Sequence, residues 1–207
     1  MRPTIKRLIE QLLAWSARRV IAAVQPTIVG VTGSSGKTST KEAILQVLRA
    51  TLSIPVVGAQ GNLNSEFGLP LAVLGLPKPE TAQAWIATTL QALRSGLVPP
   101  ARHRSVLVLE FGAEFPGDIA KLVRIAQPKV AVITNIGPAH LEFFRTLDNV
   151  AREKVTLIRN VPATGRVILS ATDQFADWMA TQTRAEVVRV SGAGGAFVRS
   201  AAVAVAA

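Results

Sequence analysis

The stretch IVGVTGSSGKTST, residues 28–40, decides the fold. An apolar, β-prone run over 27–31 enters a turn of small residues, and the turn leads into a run with helical character over 41–50. A strand, a glycine turn and a helix in this order form a cradle whose backbone N–H groups and helix dipole favour an anion. Lys37 would reach the outer phosphates of a nucleotide, and the Thr38 hydroxyl would bind Mg²⁺.

The spacing of this loop differs by one residue from the usual phosphate-binding pattern. The pattern G-x-x-x-x-G-K needs a glycine at Val31, whereas the glycine is Gly30. The alternative is an ordinary glycine turn between a strand and a helix. Such a turn does not account for Lys37 followed by three hydroxyl residues, so we favour binding of a nucleoside triphosphate.

The composition is that of a globular domain. The 207 residues are enough for one domain with a real core, and 49% hydrophobic against 17% charged residues excludes global disorder. The sequence has no cysteine, which excludes disulfides and thiolate metal sites and fits a reducing cytoplasm. We therefore expect a cytoplasmic protein.

The net charge of +10 suits a polyanionic ligand, a nucleic acid or an anionic membrane surface. The arginines are scattered and there is no tyrosine, so the sequence offers no base-stacking platform and we expect no nucleic-acid partner. No run of about 20 apolar residues predicts a membrane span. The N-terminus has charges within its apolar stretch and no clear cleavage site, which argues against a signal peptide.

Residues 4–24 have the pattern of an amphipathic helix. Ile5, Leu8, Ile9 and Leu12 recur at helical spacing, and Pro26 ends the run. The favoured interpretation is a helix packed on the domain. The alternative is a basic helix that binds a membrane surface or a partner.

Two runs that are apolar on both faces predict buried strands of a parallel sheet. The first, 105–110, ends on Glu110, and the second, 129–135, ends on Asn135 and is followed by His140. Ligands of such sheets bind beyond the carboxyl ends of the strands. We favour a metal-facing role for Glu110, whereas for His140 a structural and a functional role stay open.

Two further segments carry polar residues whose role the pattern does not decide. In the stretch GNLNSEFGLP, 61–70, Asn64 suits either a turn with a helix cap or a ligand contact. A helix predicted over 147–160 carries Arg152, Glu153 and Lys154. By residue statistics alone, this cluster is typical of a solvated helix face.

The remaining segments alternate between strands and helices. This alternation predicts a doubly wound α/β domain with a mostly parallel sheet and a phosphate loop after its first strand. The last segment, from 191 onward, has the pattern of a glycine turn that enters a weak strand. The other predicted elements are strands over 53–57, 165–170 and 186–190, and helices over 79–95 (with Gly96 just past the end), 118–126 and 173–181.

Four motifs, in order, resemble the Mur ligase family. The loop VTGSSGKTS, 31–39, has the displaced first glycine of these ligases, and the stretch 61–70 resembles the MurF branch, which adds D-alanyl-D-alanine to the peptidoglycan precursor. The segments LEFGA, 109–113, and TNIGPAHLE, 134–142, match two further family motifs. The resemblance covers about 27–189.

The resemblance implies an ATP-dependent amide ligase, in which ATP converts a carboxylate to an acyl phosphate that an amine then attacks. It implies that Thr38 and Glu110 hold one Mg²⁺ and that His140 helps to hold a second. It also implies a carbamylated lysine, for which Lys154 has the matching spacing, so that Lys37, His140 and Lys154 form the catalytic set. The residues assigned to ATP are Gly33, Ser34, Ser35, Gly36, Lys37, Thr38, Ser39, Asn64 and Asn135.

The sequence departs from the family pattern at two places. Ser170 and Thr172 stand where family members have an Asn and an Asp near the nucleotide base, with Asp173 just beyond. Glu114 and Phe115 replace the Asn-His pair that often follows the Glu-x-Gly motif. The mode of base binding is therefore left open.

The resemblance also implies a division of the chain into domains. We expect an N-terminal helix over 1–25 and an ATP-binding central domain over 26–207 that is incomplete at its C-terminal end, without the UDP-sugar and C-terminal ligase domains. Expected partners are ATP, a UDP-muramoyl-peptide-like acceptor with an amino acid or dipeptide, and a separate C-terminal ligase domain or subunit. The alternatives are a non-catalytic nucleotide-binding or partner-docking protein and a folylpolyglutamate synthetase-like ligase, which the Asn-rich stretch disfavours.

Overall fold

The computed structural model describes residues 3–58, 61, 63–191 and 195–206, and in this part of the chain all strand pairs of one six-stranded sheet are parallel. The strands lie in the order β2-β3-β1-β4-β5-β6. They are β1 Thr27–Thr32, β2 Val56–Gly58, β3 Val106–Glu110, β4 Val130–Ile133, β5 Arg166–Ser170 and β6 Glu186–Val190. The helices are α1 Pro3–Val24, α2 Lys37–Thr51, α3 Gly68–Leu74, α4 Ala82–Leu97, α5 Asp118–Val123, α6 Leu141–Phe144, α7 Leu147–Arg159, α8 Ala176–Ala180 and α9 Gly195–Ala206.

Alternate residues of the central strands enter two cores on opposite faces of the sheet. Ile28 belongs to the core that includes residues of α5 and α7, whereas Val29 and Val31 belong to the core that includes residues of α2 and α9. This period of two, with helices on both faces, is why the strands have near-continuous apolar sequences. The predicted doubly wound α/β fold is confirmed.

The strand order places β1 between β3 and β4. Val31 is paired with Glu110 in the register, and Thr32 is paired with Ile133. Because parallel strands end at the same edge, the turn after β1, Glu110 and the segment after β4 converge there.

The N-terminal helix packs on the domain through α3 and α4. Leu13 and Ala17 of α1 are fully buried in this contact region. No helix in the described residues is long and apolar enough to cross a membrane.

The predicted bounds of the fourth helix are wrong at both ends. The helix begins at Ala82 rather than near Pro79, because the Thr81 side chain accepts a hydrogen bond from the Ala84 N–H at 3.1 Å and caps it. It continues through Gly96, which is therefore not a helix stop. A Cβ at Gly96 would lie 2.6 Å from the Trp15 ring and 2.9 Å from Ser16 Cα, so glycine allows the close approach of α1 and α4.

The prediction of a weak strand near the C-terminus is also wrong, because 195–206 form helix α9. Phe197, Val198, Ala201 and Ala204 are buried at helical spacing in the core shared with α2. Alanine has high helix propensity, and the sheet face beside α2, over β4, β5 and β6, supplies the packing partner. The predicted glycine turn at 192–194 lies outside the described residues.

Replacing Phe197 by alanine should destabilise the domain by about 3 kcal/mol, because the ring is buried against the sheet side of α9. Urea denaturation followed by circular dichroism measures this change. The matched control is Val203→Ala on the exposed side of the same helix, for which we expect a change within about 0.5 kcal/mol. Equal stability of the two variants would contradict the packing of α9.

Candidate functional site

The loop after β1 requires glycine at two positions. Gly33 has a φ of 150°, and a Cβ there would lie 1.9 Å from Thr134 Oγ1. Gly36 has a φ of 73° and turns the chain into α2. Both angles are costly for other residues, so these glycines fix the path of the loop.

The loop is fastened to the segment that follows β4. Ser34 Oγ donates to Gly137 O at 2.8 Å, and Gly137 N–H donates back to Ser34 Oγ at 2.9 Å. Ser35 N–H donates to Asn135 Oδ1 at 3.0 Å, and Thr134 Oγ1 donates to Ser35 O at 2.6 Å. Hydrogen bonds thus join Ser34 and Ser35 to the segment that contains Asn135. Thr134 supports this contact, although the sequence pattern does not single it out.

Positive charge and free backbone donors concentrate at the start of α2. Lys37 Nζ donates to Gly33 O at 3.0 Å and lies 3.4 Å from Ser34 O, so its ammonium group is at the loop. The first-turn N–H groups of a helix, which here include those of Thr38 and Ser39, have no intrahelical acceptor. The arrangement can bind an anion such as a phosphate group.

A buried carboxylate joins the loop to two other segments. Glu110, which is 3% exposed, accepts from Thr38 Oγ1 at 2.8 Å through Oε2 and from Asn64 Nδ2 at 2.7 Å through Oε1. Asn64 O in turn accepts from Gly112 N–H at 2.9 Å. A hydroxyl and a carboxylate side by side are oxygen ligands of the kind that Mg²⁺ prefers.

Lys41 supports the segment that carries Asn64, and the sequence analysis missed it. It is 1% exposed, donates to Gly61 O at 2.5 Å and forms an ion pair with Glu42 at 3.0 Å. The sequence does contain a signal for the burial of Lys41, because this residue falls on the apolar face of α2 together with Ile44. Asn62, quoted in the same motif, lies outside the described residues.

Lys37, Asn64 and His140 line one cleft of about 490 Å³ at the carboxyl edge of the sheet. His140 is exposed and adopts a left-handed conformation with a φ of 50° just before α6. The cleft therefore brings His140 near the loop, although no hydrogen bond joins it to Glu110. Within the described ranges, no group of three His, Cys, Asp or Glu residues could hold a metal by itself. A metal at this edge would need oxygens from a ligand as well.

Lys154 is buried, so the interpretation of 147–160 as carrying a solvated charge cluster is wrong for this residue. Burial and the nearby charge of Lys37 lower the pKa of Lys154 to about 8, while Glu153 acts to raise it. Arg152 alone in the cluster is exposed. Lys154 is buried because α7 packs this face of the helix against α5 and the sheet.

Glu153 fixes α7 against the start of α5. Its two carboxylate oxygens accept from Gly117 N–H and Ile119 N–H, each at 2.8 Å. These N–H groups lie at a helix N-terminus, where a negative charge is stabilised. Glu153 therefore helps to position its neighbour Lys154, and the sequence analysis gave no signal for this.

The residues at the two departures from the family pattern make contacts within the structure. Asp173 accepts from Ile136 N–H at 2.6 Å and from Phe175 N–H at 2.9 Å, so its carboxylate holds the loop after β4. Ser170 Oγ lies 3.0 Å from Thr172 Oγ1. Phe115 packs against Phe143 with a ring-centroid distance of 4.4 Å beside the cleft.

Residues 31–205 match the family described as Mur ligase middle domain. UDP-N-acetylmuramoyl-tripeptide--D-alanyl-D-alanine ligase from Mycobacterium tuberculosis is 38% identical over 179 residues, which cover 86% of this chain and 30% of that protein. The ligase of the same name from Bacillus subtilis is 32% identical over 152 residues, which cover 73% of this chain and 28% of that protein.

Solved structures of MurF have the same fold. MurF ligase from Thermotoga maritima in complex with ADP superposes with a TM-score of 0.66 and 32% identity, over 88% of this chain and 36% of that chain. MurF from Acinetobacter baumannii superposes with a TM-score of 0.67 and 29% identity, over 87% of this chain and 34% of that chain. The chain spans about 30% of the length of the curated relatives it matches.

Replacing Lys154 by methionine should change how stability depends on pH. The pKa of Lys154 falls from 10.5 to about 8 on folding, so between these values the unfolded chain binds more protons and stability rises with pH. In CO₂-free buffer, the stability of Lys154→Met relative to the wild type should be greatest near pH 7 and should fall by roughly 3 kcal/mol toward pH 10.5.

Urea denaturation at a series of pH values measures this difference. The control is Lys129→Met, in which an exposed lysine at the opposite edge of the sheet is replaced. Its stability relative to the wild type should not vary over the same range. A stability difference for Lys154→Met that is constant with pH would contradict the lowered pKa.

Proposed function

The chain belongs to the Mur ligase family, and from this premise we propose that it is the ATP-binding domain of a MurF-type ligase in peptidoglycan precursor synthesis. The observation that carries the proposal is the hydrogen-bonded group of Thr38, Glu110 and Asn64 beside a glycine loop with Lys37. Similarity to MurF ligases at 29–38% identity supports the MurF branch. The domain division that we propose is a helix over 1–25 and an ATP-binding domain over 26–207.

The loop would bind the triphosphate of ATP. Backbone N–H groups at the start of α2 and the Lys37 ammonium group would bind the phosphates, and the small residues allow the backbone to approach them closely. Support comes from the ADP complex of the Thermotoga maritima protein. The proposed ATP set is Gly33, Ser34, Ser35, Gly36, Lys37, Thr38, Ser39, Asn64 and Asn135.

The donor set near the loop fits Mg²⁺. Thr38 and Glu110 would hold one ion together with phosphate oxygens, and His140 would help to hold a second. When bound, Mg²⁺ would offset the negative charge of the phosphates during phosphoryl transfer. Asn64 would hold the Glu110 carboxylate in place by its hydrogen bond.

Lys154 is proposed to be carbamylated. With a pKa of about 8, a large fraction of its amine is neutral near that pH and can attack CO₂. The nitrogen lone pair forms the new N–C bond as the π electron pair of one C=O bond of CO₂ moves to its oxygen, and one amine proton leaves to solvent. The product is an anion near the Lys37 charge, so the modification replaces a repulsion with an attraction.

The proposed reaction is ligation of an acid with an amine. ATP would give its γ-phosphoryl group to the carboxylate of a UDP-muramoyl-peptide-like acceptor, and the amine of an amino acid or dipeptide would displace phosphate from the acyl phosphate. Because the relatives are about three times as long as the matched region, we assign binding of the acceptor and the amine to segments outside it, in the same chain or in a separate C-terminal ligase subunit. The cytoplasm is the proposed location.

The likeness to FPGS supports the fold and not a second activity. FPGS from L. casei superposes with a TM-score of 0.54 at 17% identity. A nucleotide-binding protein without turnover is the alternative to a ligase domain. Nucleotide binding with no acyl-phosphate formation in the assembled enzyme would favour that alternative.

Replacing Lys37 by alanine should abolish the binding of Mg-ATP while the fold persists, because the ammonium group at the loop is lost and nothing replaces it. Titration calorimetry measures the affinity, and circular dichroism checks the fold. Lys129→Ala, which removes a distant exposed lysine, should bind ATP like the wild type. Equal ATP affinity of Lys37→Ala and the wild type would reject the loop assignment.

Carbon-13 NMR in labelled bicarbonate should show a carbamate signal in the wild type near pH 8. The signal should be absent in Lys154→Met, since no amine remains at that position. Lys129→Met should retain it, which separates a specific carbamate from modification of surface lysines. A wild-type spectrum without the signal at saturating bicarbonate would count against carbamylation.

A further inference from the structure

Helix α4 exposes three large apolar residues, whereas its buried residues are small. Ile86, Leu90 and Leu97 are 64%, 61% and 62% exposed, and their spacing of four and seven residues puts them on one face. The buried residues of the same helix are Thr88, Ala92 and Gly96. A helix of a soluble domain has the opposite arrangement, so the outer face of α4 has the character of a binding surface.

The apolar face of α4 continues onto α1. Ile5 and Ile9 of α1 line a groove of about 680 Å³ together with Ile86 and Leu90 of α4. Phe67 and Trp85, in edge contact at 5.6 Å, also line it. We call this set, with Leu97, the apolar face.

The two helices that form the apolar face carry exposed cations. Helices α1 and α4 carry five cations and one acid, a net charge of 5 − 1 = +4, and all five cations are exposed whereas Glu10 is half-buried. The five are Lys6, Arg7, Arg18, Arg19 and Arg94.

Contacts and helix position place three of these cations at the two ends of the face. Lys6 Nζ lies 5.6 Å from the centre of the Phe67 ring at one end. Arg19 Nε donates to Gly96 O at 3.4 Å at the other end, and Arg94 precedes Leu97 by one turn. Glu80 is the acid on the groove wall.

We propose that the apolar face of α1 and α4 binds the surface of an anionic lipid bilayer. Interfacial helices combine apolar side chains that enter the headgroup region with cations that attract anionic headgroups, which is the chemistry of this face. A second copy of the chain is a poorer occupant. An isologous contact would bring two surfaces of charge +4 together.

The bilayer-binding face and the candidate site adjoin at Lys6. This residue lines the 490 Å³ cleft and also lies over Phe67 of the groove. A chain bound by the apolar face would therefore hold the cleft near the bilayer surface. The inference goes beyond the proposed function and does not depend on it, because the face contains none of the proposed ATP or metal ligands.

Co-sedimentation of the full chain with lipid vesicles tests the proposal. We expect binding to phosphatidylcholine vesicles that contain phosphatidylglycerol, at least tenfold weaker binding to pure phosphatidylcholine, and weakening by salt. The double variant Ile86→Ser, Leu90→Ser should bind the anionic vesicles at least tenfold more weakly, because it removes two exposed apolar side chains. Val203→Ser, which alters an equally exposed residue of α9, should bind like the wild type.

Variants that each remove one positive charge measure the electrostatic contribution to vesicle binding. Arg94→Gln should weaken binding about fivefold, while Arg184→Gln, an exposed cation outside the face, should leave it unchanged. Lys37→Ala should bind vesicles like the wild type, so that failure of ATP binding and failure of membrane binding are distinguishable.

Three outcomes would overturn the proposal: no binding of the wild type to anionic vesicles, equal binding by the Ile86→Ser, Leu90→Ser variant, or equal binding to neutral and anionic vesicles. Analytical ultracentrifugation provides a fourth. A wild-type dimer that the double serine variant converts to a monomer would assign the face to a second copy instead.

Discussion

The buried carboxylate of Glu110 is the constraint on which the candidate site depends. A carboxylate out of water costs several kcal/mol unless its oxygens are hydrogen-bonded. Glu110 meets this requirement through Thr38 and Asn64, which belong to segments 72 and 46 residues away in sequence. The pairing of β1 with β3 sets this arrangement, since Val31 is level with Glu110 and the following turn then brings Thr38 to it. The phosphate loop, the Asn64 segment and the sheet therefore position one another.

The electrostatics of the site indicate that it is completed by an anion. Lys37 lies at the loop and Lys154 is buried nearby, and the burial of Lys154, together with repulsion from the Lys37 charge, lowers the pKa of Lys154. Glu153 offsets part of this repulsion, but both of its oxygens are engaged by backbone N–H groups of α5. Phosphates at the loop and a carboxylate on Lys154 would relieve it. In the proposed function Lys37 binds the phosphates, and the carbamylated Lys154 no longer repels it.

Features that depend on local residue patterns were predictable from the sequence. Features that depend on contacts between residues far apart in the chain were not. The central strands were identified because both of their faces are apolar, and their common edge brought Thr38 and Glu110 together. Thr134 was missed because its partner Ser35 is 99 residues away. The burial of Lys154 was likewise invisible to residue statistics, since α7 is covered by elements far along the chain. Gly96 was misread as a helix stop because the helix against which it packs, α1, lies 80 residues earlier.

The same close contact at Gly96 explains why α4 has an apolar outer face. Thr88, Ala92 and Gly96 follow one another at a spacing of four, and these small side chains let α4 approach α1 closely. The face that makes this close contact has room only for small side chains, so residues as large as Ile86, Leu90 and Leu97 lie outside it. Exposed leucine and isoleucine side chains gain nothing from packing. If Ile86, Leu90 and Leu97 contacted only water, polar residues at these positions would therefore suit α4 better. The retention of these apolar residues beside cations, on a surface continuous with Ile5 and Ile9 of α1, is what a surface that meets anionic lipid requires.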